Sequence, residues 1–277
     1  MIKRILTASV LIACLVGIFF LRTISDLFFD ALLFVLIIGS IYELVKAFEK
    51  IGTKVNLVGL IVYVALYGIG YYFVGLKGIF FALVLAMIVI LTCFTFSTKR
   101  NINDLLASLF VMVYPSLFLS FAFELNHNAS GLLLILLVIV ISVFTDTFAY
   151  FVGSIVKGKK LCPKISPKKT ISGAIGGFIG GILGSILIYF CFEVWGVFGV
   201  QSLGFSNPIL IYILIGAVGA VFDEVGDLVS SQIKRKTGIK DFGNIFPGHG
   251  GILDRIDGMS FVLAGVGILY ELLVVAL

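Results

Sequence analysis

The sequence predicts an all-α polytopic integral membrane protein with about nine transmembrane helices. Hydrophobic residues make up 60% of its 277 residues, charged residues only 13%, and the mean hydropathy is +1.19. Soluble domains are typically about 45–50% apolar and about 25% charged. A transmembrane helix needs about 20 mostly apolar residues. The apolar runs place the spans at residues 5–21, 26–48, 55–75, 78–97, 104–122, 131–153, 171–194, 207–233 and 258–276.

The lysines and arginines predict how these spans are oriented. With nine spans, 18 basic residues, Lys3 and Arg4 among them, fall on one side and only Arg22 and Lys77 on the other. Cytoplasmic loops carry the excess of basic residues. We therefore expect a cytoplasmic N-terminus and an outside C-terminus, in a bacterial cytoplasmic membrane. The net charge of +5 follows from this topology, so we expect no nucleic-acid partner.

The polar segments predict where the chemistry lies. Residues 1–125 contain transmembrane helices without a specific motif, whereas residues 126–277 contain the two longest polar segments, 154–170 and 234–257. Both segments fall on the predicted cytoplasmic side. The first span lacks a small-x-small cleavage site, so we expect it to be retained. We assign the catalytic region to residues 126–277.

Acidic residues mark the cytoplasmic end of the eighth span. Asp223, Asp227, Ser231 and Lys234 follow one another at spacings of 4, 4 and 3. On a helix, these spacings bring the four side chains to one face. Glu224 lies beside them, and we interpret it and Asp223 as supporting residues or partners for lysines.

A second acidic pair precedes the last span. Asp254 and Asp257 are three residues apart, so they share a face if the helix has begun there. The run PGHGG at residues 247–251 suits tight turns, so the loop can fold back between the two acidic pairs. Within it, His249 is a candidate general acid or base, or a hydrogen-bond donor to phosphate. The alternative is a turn histidine with a structural hydrogen bond.

These carboxylates predict a magnesium site. Magnesium takes oxygen ligands, usually one or two carboxylates together with substrate phosphates. Lysines surround three of these residues, and the set fits metal-assisted phosphoryl or nucleotidyl transfer: Asp227, Asp254 and Asp257. A second metal ion is an open alternative. The competing interpretation is that the acids neutralise interfacial Lys and Arg side chains.

The other polar loop reads KGKKLCPKISPKKT and is strongly cationic. Ser166 and Thr170 are candidate helix caps, and Lys168 stands between them. Helix N-termini favour anions, so the loop is a candidate phosphate-binding site. A topology signal with attraction to anionic lipid is the alternative. Asp146, inside the sixth span, would bind a lysine of this loop or line the same polar cavity, because an intramembrane carboxylate rarely faces lipid.

Residues 231–257 resemble the signature of the phosphatidate cytidylyltransferases, or CDP-diacylglycerol synthases. The matching positions are Ser231, Lys234-Arg235, Lys240-Asp241, His249-Gly250-Gly251 and Asp254-Arg255-Ile256-Asp257. Three further segments are also similar to the family: Gly226-Asp227-Leu228, DTFAYFVG at 146–153 and SPKKT at 166–170. Ser172 departs from it, since the family often has Glu there. The resemblance covers about the C-terminal half.

The resemblance implies transfer of CMP from CTP to phosphatidate, which gives CDP-diacylglycerol and pyrophosphate. By resemblance, Asp227 and Asp254 would hold Mg2+ with Asp257 in support. The other residues of the implied catalytic set are Lys234 and His249. The implied substrate- and phosphate-binding residues are Asp146, Ser166, Lys168, Thr170, Ser231, Arg235, Lys240 and Arg255. The expected partners are CTP and phosphatidate. A second copy of the chain, in a homodimer, is a further open alternative.

Three other classes of protein stay open at this point. A CDP-alcohol phosphatidyltransferase also uses interfacial aspartates, but Ser260-Phe261 stands where its Ala-Arg should follow. A transporter would place charges near the midplane, often with an inverted repeat. A scaffold or lipid-binding protein would not need five acids beside basic loops.

Overall fold

The computed structural model describes residues 2–199 and 202–276, and the side chains of residues 1–5, including the predicted orientation signals Lys3 and Arg4, lie outside the described part. The described residues form nine long helices: α1 Ile2–Arg22, α2 Leu27–Glu49, α3 Leu57–Val74, α4 Leu76–Thr95, α5 Ile102–His127, α6 Gly131–Val156, α7 Ile171–Tyr189, α8 Pro208–Lys236 and α9 Leu253–Ala276. A π-helical turn, Phe190–Val194, extends α7, and a 3-10 turn follows at Val197–Gly199.

The helices confirm the predicted class of a polytopic helical membrane protein. Within the described residues, α2 to α9 are each long and apolar enough to cross a membrane. The longest stretch of α1 in which every side chain is described, Ser9–Arg22, is apolar but shorter. The last helix begins at Leu253 instead of the predicted 258, so Asp254 and Asp257 lie in its first turns. The orientation of the termini stays a prediction.

One segment expected to be loop contains strands. Lys160–Cys162 (β1) and Ser166–Thr170 (β2) pair as an antiparallel hairpin, with Lys160 opposite Thr170 and Cys162 opposite Ser166. The register shifts between the two pairs. The segment is rich in lysine and lacks alternating apolar residues, so its sequence carries no strand signal. The hairpin ends where α7 begins.

The chain divides into two compact units. The first comprises Met1–Ser120 and Lys236–Asp254, and the second comprises Phe121–Arg235 and Arg255–Leu277. The first therefore takes in the glycine-rich loop that carries much of the signature. The sequence-based division after residue 125 stays a prediction.

The first unit has a core of aromatic and aliphatic side chains. Tyr63 is fully buried and donates a hydrogen bond from its hydroxyl to Ser116 Oγ at 2.7 Å. Helices α3 and α4 approach closely at Gly70 and Gly78, where an added Cβ at Gly70 would lie 2.7 Å from the Gly78 carbonyl oxygen. Only glycine permits this backbone-to-backbone contact.

The second unit depends on the glycine face of α7. A Cβ added at Gly180 would lie 2.6 Å from Phe148 Cβ on α6. One added at Gly181 would lie 2.6 Å from Ala220 Cβ on α8 and 2.8 Å from Thr145 Oγ1 on α6. The glycines thus let α7 contact both helices, as small residues do in membrane proteins.

We predict that Gly181→Leu destabilises the protein by about 3 kcal/mol or more, because overpacking a close contact costs about 1–3 kcal/mol and the backbone of α8 also lies nearby. Thermal unfolding in detergent measures the effect. Gly17→Leu is the matched control, since nothing lies within 4 Å of a Cβ added at Gly17. Equal stability of the two variants would contradict the packing argument.

Candidate active site

Five carboxylates gather in the second unit, near its hairpin. They interact electrostatically with one another and with two lysines. The carboxylates belong to Asp146 of α6, to Asp223, Glu224 and Asp227 of α8, and to Asp257 of α9. The lysines are Lys169 of β2 and Lys234 of α8. Within membrane helices, such charges are costly unless they have partners.

Two ion pairs organise this cluster. Lys169 Nζ lies 2.7 Å from Asp227 Oδ2, and Lys234 Nζ lies 3.6 Å from Asp257 Oδ2. All four side chains are at most one-third exposed, so solvent screens these pairs less than surface pairs. The first pair connects the hairpin to α8. Lys168 was predicted from the sequence as a site residue and Lys169 was not, because the segment carries no strand signal from which the opposite faces of the two neighbours could be assigned.

Serines and a backbone amide hold the aspartates. Ser230 Oγ donates to Asp257 Oδ2 at 2.7 Å, and Gly258 N donates to Asp257 Oδ1 at 3.1 Å. Ser142 Oγ donates to Asp223 Oδ1 at 2.6 Å. Ser231 Oγ reaches Asp227 Oδ1 only at 3.5 Å. Asp223 and Asp257 are therefore more firmly held by hydrogen bonds than Asp227 is.

Glu224 carries an unpartnered oxygen. Its Oε1 is buried and has no hydrogen-bond partner among the described residues, and it lies 2.6 Å from a Cβ built at Gly177. A buried carboxylate oxygen without a donor is costly. Five carboxylates thus gather around Lys169 and Lys234, and a cation that enters the cluster would supply the partner that this oxygen lacks.

The donor set suits a hard divalent cation that arrives with substrate. Among the described residues, no group of three Asp, Glu, His or Cys side chains is already arranged to hold a metal. Magnesium usually keeps several waters and needs only one or two protein carboxylates besides substrate phosphates. Asp227 and Asp257 supply two such carboxylates, so their chemistry fits magnesium.

A cavity of about 290 Å³ opens beside the cluster in the second unit. It is lined in part by Asp146, Tyr150, Lys168, Lys169, Thr170 and Glu224. Asp146 and Lys168 are exposed, and Tyr150 is 73% exposed. The wall thus combines cationic groups suited to phosphate with carboxylates and an aromatic ring.

The hairpin and α7 are joined at Thr170. The structure places Thr170 at the N-cap of α7, where its Oγ1 accepts a hydrogen bond from Gly173 N at 3.0 Å. Ser172, where the resembling family often has Glu, donates its hydroxyl hydrogen to the Lys157 carbonyl oxygen. The residue therefore holds the base of the hairpin.

The turn of the hairpin also contacts α8. Ser166 is the half-buried first residue of β2. Next to it, the Ile165 carbonyl oxygen accepts a hydrogen bond from Arg235 Nε at 3.3 Å. Arg235 is exposed at the end of α8, and Arg255 is exposed near the start of α9 and interacts electrostatically with Asp146.

The remaining signature residues belong to the first unit. Asp254 Oδ2 accepts hydrogen bonds from Phe242 N at 2.7 Å and Gly251 N at 3.0 Å. His249 occupies a tight turn, and its backbone N–H donates a hydrogen bond to the Phe246 carbonyl oxygen. Its buried Nδ1 has no partner within the part of the chain that the structure describes. Lys240 is exposed in the same loop. That Asp254 shares one metal with Asp227 and Asp257 stays a prediction.

The sequence analysis missed Glu43. This residue is 2% exposed on α2, and its two oxygens accept hydrogen bonds from Ile252 N at 2.9 Å and Leu253 N at 2.8 Å. The sequence did contain a signal for Glu43, because an acidic residue within an apolar helix usually marks a buried partner or a site.

We predict that Thr170→Val lowers the stability by about 1 kcal/mol, because valine cannot accept the hydrogen bond that caps α7. Thermal unfolding and limited proteolysis of the hairpin measure this loss. Thr170→Ser keeps the hydroxyl and is the control. A valine variant as stable as the serine variant would show that the cap contributes nothing.

Comparison with known proteins extends the similarity well beyond the signature. The model of a family described as the cytidylyltransferase family matches residues 2–273. The phosphatidate cytidylyltransferase of Rickettsia conorii is 36% identical over 162 residues, which cover 58% of this chain and 67% of the relative. Those of Staphylococcus haemolyticus and Staphylococcus aureus strain COL are 30% and 31% identical over 185 residues, which cover 67% of both chains. The chain belongs to the cytidylyltransferase family.

Proposed function

We propose that this protein is a phosphatidate cytidylyltransferase, which transfers CMP from CTP to phosphatidate and forms CDP-diacylglycerol and pyrophosphate. The observation that carries the proposal is the paired charge cluster, in which Lys169 binds Asp227 and Lys234 binds Asp257. Membership of the cytidylyltransferase family and the names of the relatives support the same reaction.

The reaction needs no protein nucleophile. A phosphate oxygen of phosphatidate attacks the α-phosphorus of CTP and forms a new P–O bond. The bond between the α-phosphorus and the bridging oxygen to the β-phosphate breaks, and the electron pair leaves with pyrophosphate. Because both reactants are polyanions, catalysis depends mainly on positioning and on offsetting charge.

The lysines of the cluster are suited to offset that charge. Lys168 and Lys169 line the cavity, and Lys234 lies half-buried against Asp257. Phosphate oxygens form strong charge-assisted hydrogen bonds with ammonium groups. When phosphates enter, Lys169 and Lys234 can shift from their carboxylates to the substrate, which leaves aspartate oxygens available. Arg235, Arg255 and Lys240 are proposed as further phosphate-binding groups.

Asp227 and Asp257 would hold magnesium, and Asp254 joins this set by resemblance to the family signature. A bound magnesium ion would offset negative charge on the phosphates and polarise the phosphoryl oxygen. The remaining carboxylates, those of Asp146, Asp223 and Glu224, interact electrostatically with Lys169. A second metal ion stays a prediction.

The two substrates reach the site from different phases. Phosphatidate stays in the bilayer, whereas CTP is dissolved in the cytosol, so the site must lie at a cytoplasmic interface. The excess of basic residues in the loops between the spans supports that orientation. A homodimer stays a prediction.

We expect purified protein in micelles to convert radiolabelled CTP and phosphatidate to CDP-diacylglycerol when magnesium is present. Asp227→Asn and Asp257→Asn should each lower kcat/KM by about 100-fold or more, as loss of transition-state charge stabilisation does. Glu271→Gln is the control, because Glu271 is an exposed acid on the same helix as Asp257.

Two outcomes would overturn this proposal. One is an inactive wild-type protein in monodisperse micelles. The other is full activity of both asparagine variants. Removal of divalent ions with EDTA, followed by addition of magnesium, tests the cofactor separately, and we expect activity to be lost and then restored.

A further variant tests the role of Lys169. We expect Lys169→Met to raise the KM for CTP at least about tenfold, since a phosphate contact and the partner of Asp227 are both lost; tenfold corresponds to about 1.4 kcal/mol. Steady-state kinetics with varied CTP measure it. Lys164→Met is the control, because Lys164 is exposed between the two strands of the same hairpin. Equal KM values for the two variants would exclude a specific role.

A further inference from the structure

Glu43 is a buried carboxylate that caps a helix distant in sequence. It lies on α2 and is 2% exposed. Its Oε1 accepts a hydrogen bond from Ile252 N at 2.9 Å, and its Oε2 accepts one from Leu253 N at 2.8 Å. Leu253 is the first residue of α9, whose initial N–H groups have no partner within the helix. Glu43 supplies the acceptors and places a negative charge at the positive end of the helix dipole.

Three glycines allow this approach. A Cβ added at Gly251 would lie 2.5 Å from both Cδ and Oε2 of Glu43, and one added at Gly243 would lie 3.0 Å from Cδ. One turn before Glu43, Gly39 leaves room for the Ile252 side chain, whose Cγ1 would lie 3.5 Å from an added Cβ. The loop between α8 and α9 is therefore shaped around the Glu43 carboxylate.

The same loop orients Asp254. The Asp254 Oδ2 atom accepts hydrogen bonds from Gly251 N and Phe242 N. The backbone N–H groups of three consecutive residues, 251 to 253, are thus divided between two carboxylates. Asp254 follows Leu253 directly, so any shift of the Leu253 amide displaces the Asp254 side chain.

We infer that Glu43 is a positioning residue for the reaction, because it holds the first turn of α9 in the place that orients Asp254. The inference deepens the proposed function and rests on it, since Asp254 is one of the proposed magnesium ligands. Glu43 itself is not proposed to touch a reacting atom. Its effect on catalysis passes through the backbone of Ile252 and Leu253.

The test compares Glu43→Gln with Glu49→Gln in full-length protein in nanodiscs. Glutamine keeps the size of the side chain but offers an NH2 group where one backbone N–H needs an acceptor. We expect kcat to fall about 10- to 100-fold, as small displacements of catalytic groups do, while the KM for CTP changes less than twofold. Glu49 lies on the same helix, is exposed and pairs with Lys46, so its variant should match wild type.

A second variant separates positioning from folding. Glu43→Asp keeps the charge near the helix end on a shorter stem and should recover part of the kcat lost in Glu43→Gln. Kinetics are measured well below the unfolding temperature of each variant. If Glu43→Gln does not purify as a monodisperse protein, Glu43→Asp decides the test alone. A lowered kcat with an unchanged KM in Glu43→Asp supports the inference, and a kcat equal to that of wild type overturns it.

Hydrogen exchange provides a readout that does not depend on activity. The amides of Ile252 and Leu253 should exchange at least about tenfold faster in Glu43→Gln than in Glu49→Gln, because they lose acceptors. Wild-type kcat in Glu43→Gln overturns the inference while the proposed function stands. If wild type itself is inactive, the proposed function fails, and exchange then decides only whether Glu43 holds the start of α9: unchanged exchange overturns that contact, and faster exchange supports it.

Discussion

The burial of charged side chains in membrane helices is the constraint on which the rest of this structure depends. An ionisable group at membrane depth must find a partner, because the surrounding medium solvates it poorly. The pairs Lys169–Asp227 and Lys234–Asp257 meet this requirement in the second unit, and Glu43 meets it in the first with two backbone N–H groups. In each case, the partner comes from a different element of secondary structure or from the loop before it.

Glycine residues provide the space in which buried carboxylates lie. Gly177 stands against Glu224 and Gly258 against Asp223 in the second unit, while Gly243 and Gly251 stand against Glu43 in the first. Any larger residue at these positions would meet a carboxylate oxygen at less than normal contact distance. These four glycines therefore make room for carboxylates, whereas others such as Gly180 and Gly181 allow helices to pack closely.

The paired cluster also explains how one site can handle two polyanions. Ion pairs with aspartates orient Lys169 and Lys234 in the absence of substrate, and in the proposed reaction both ammonium groups exchange a carboxylate for a phosphate. The aspartates released from those lysines are hard oxygen ligands, the type that magnesium prefers. The same side chains can thus stabilise the protein in the absence of substrate and take part in the proposed transfer afterwards.

The sequence by itself determined the membrane class, the approximate helix boundaries and the family resemblance, because apolar length and a dense motif are local properties of a chain. It placed Asp223 and Asp227 on one helix face, and the continuous helix α8 carries both. Only the tertiary structure decided that Lys169 is the partner of Asp227, that residues 160–170 form a hairpin, and that Glu43 caps α9. The Lys169–Asp227 and Glu43–Leu253 contacts join residues from about 60 to more than 200 positions apart, and no local pattern specifies which distant groups meet when helices pack. The hairpin pairs residues close in sequence, but its lysine-rich segment lacks the alternation of apolar residues that predicts a strand.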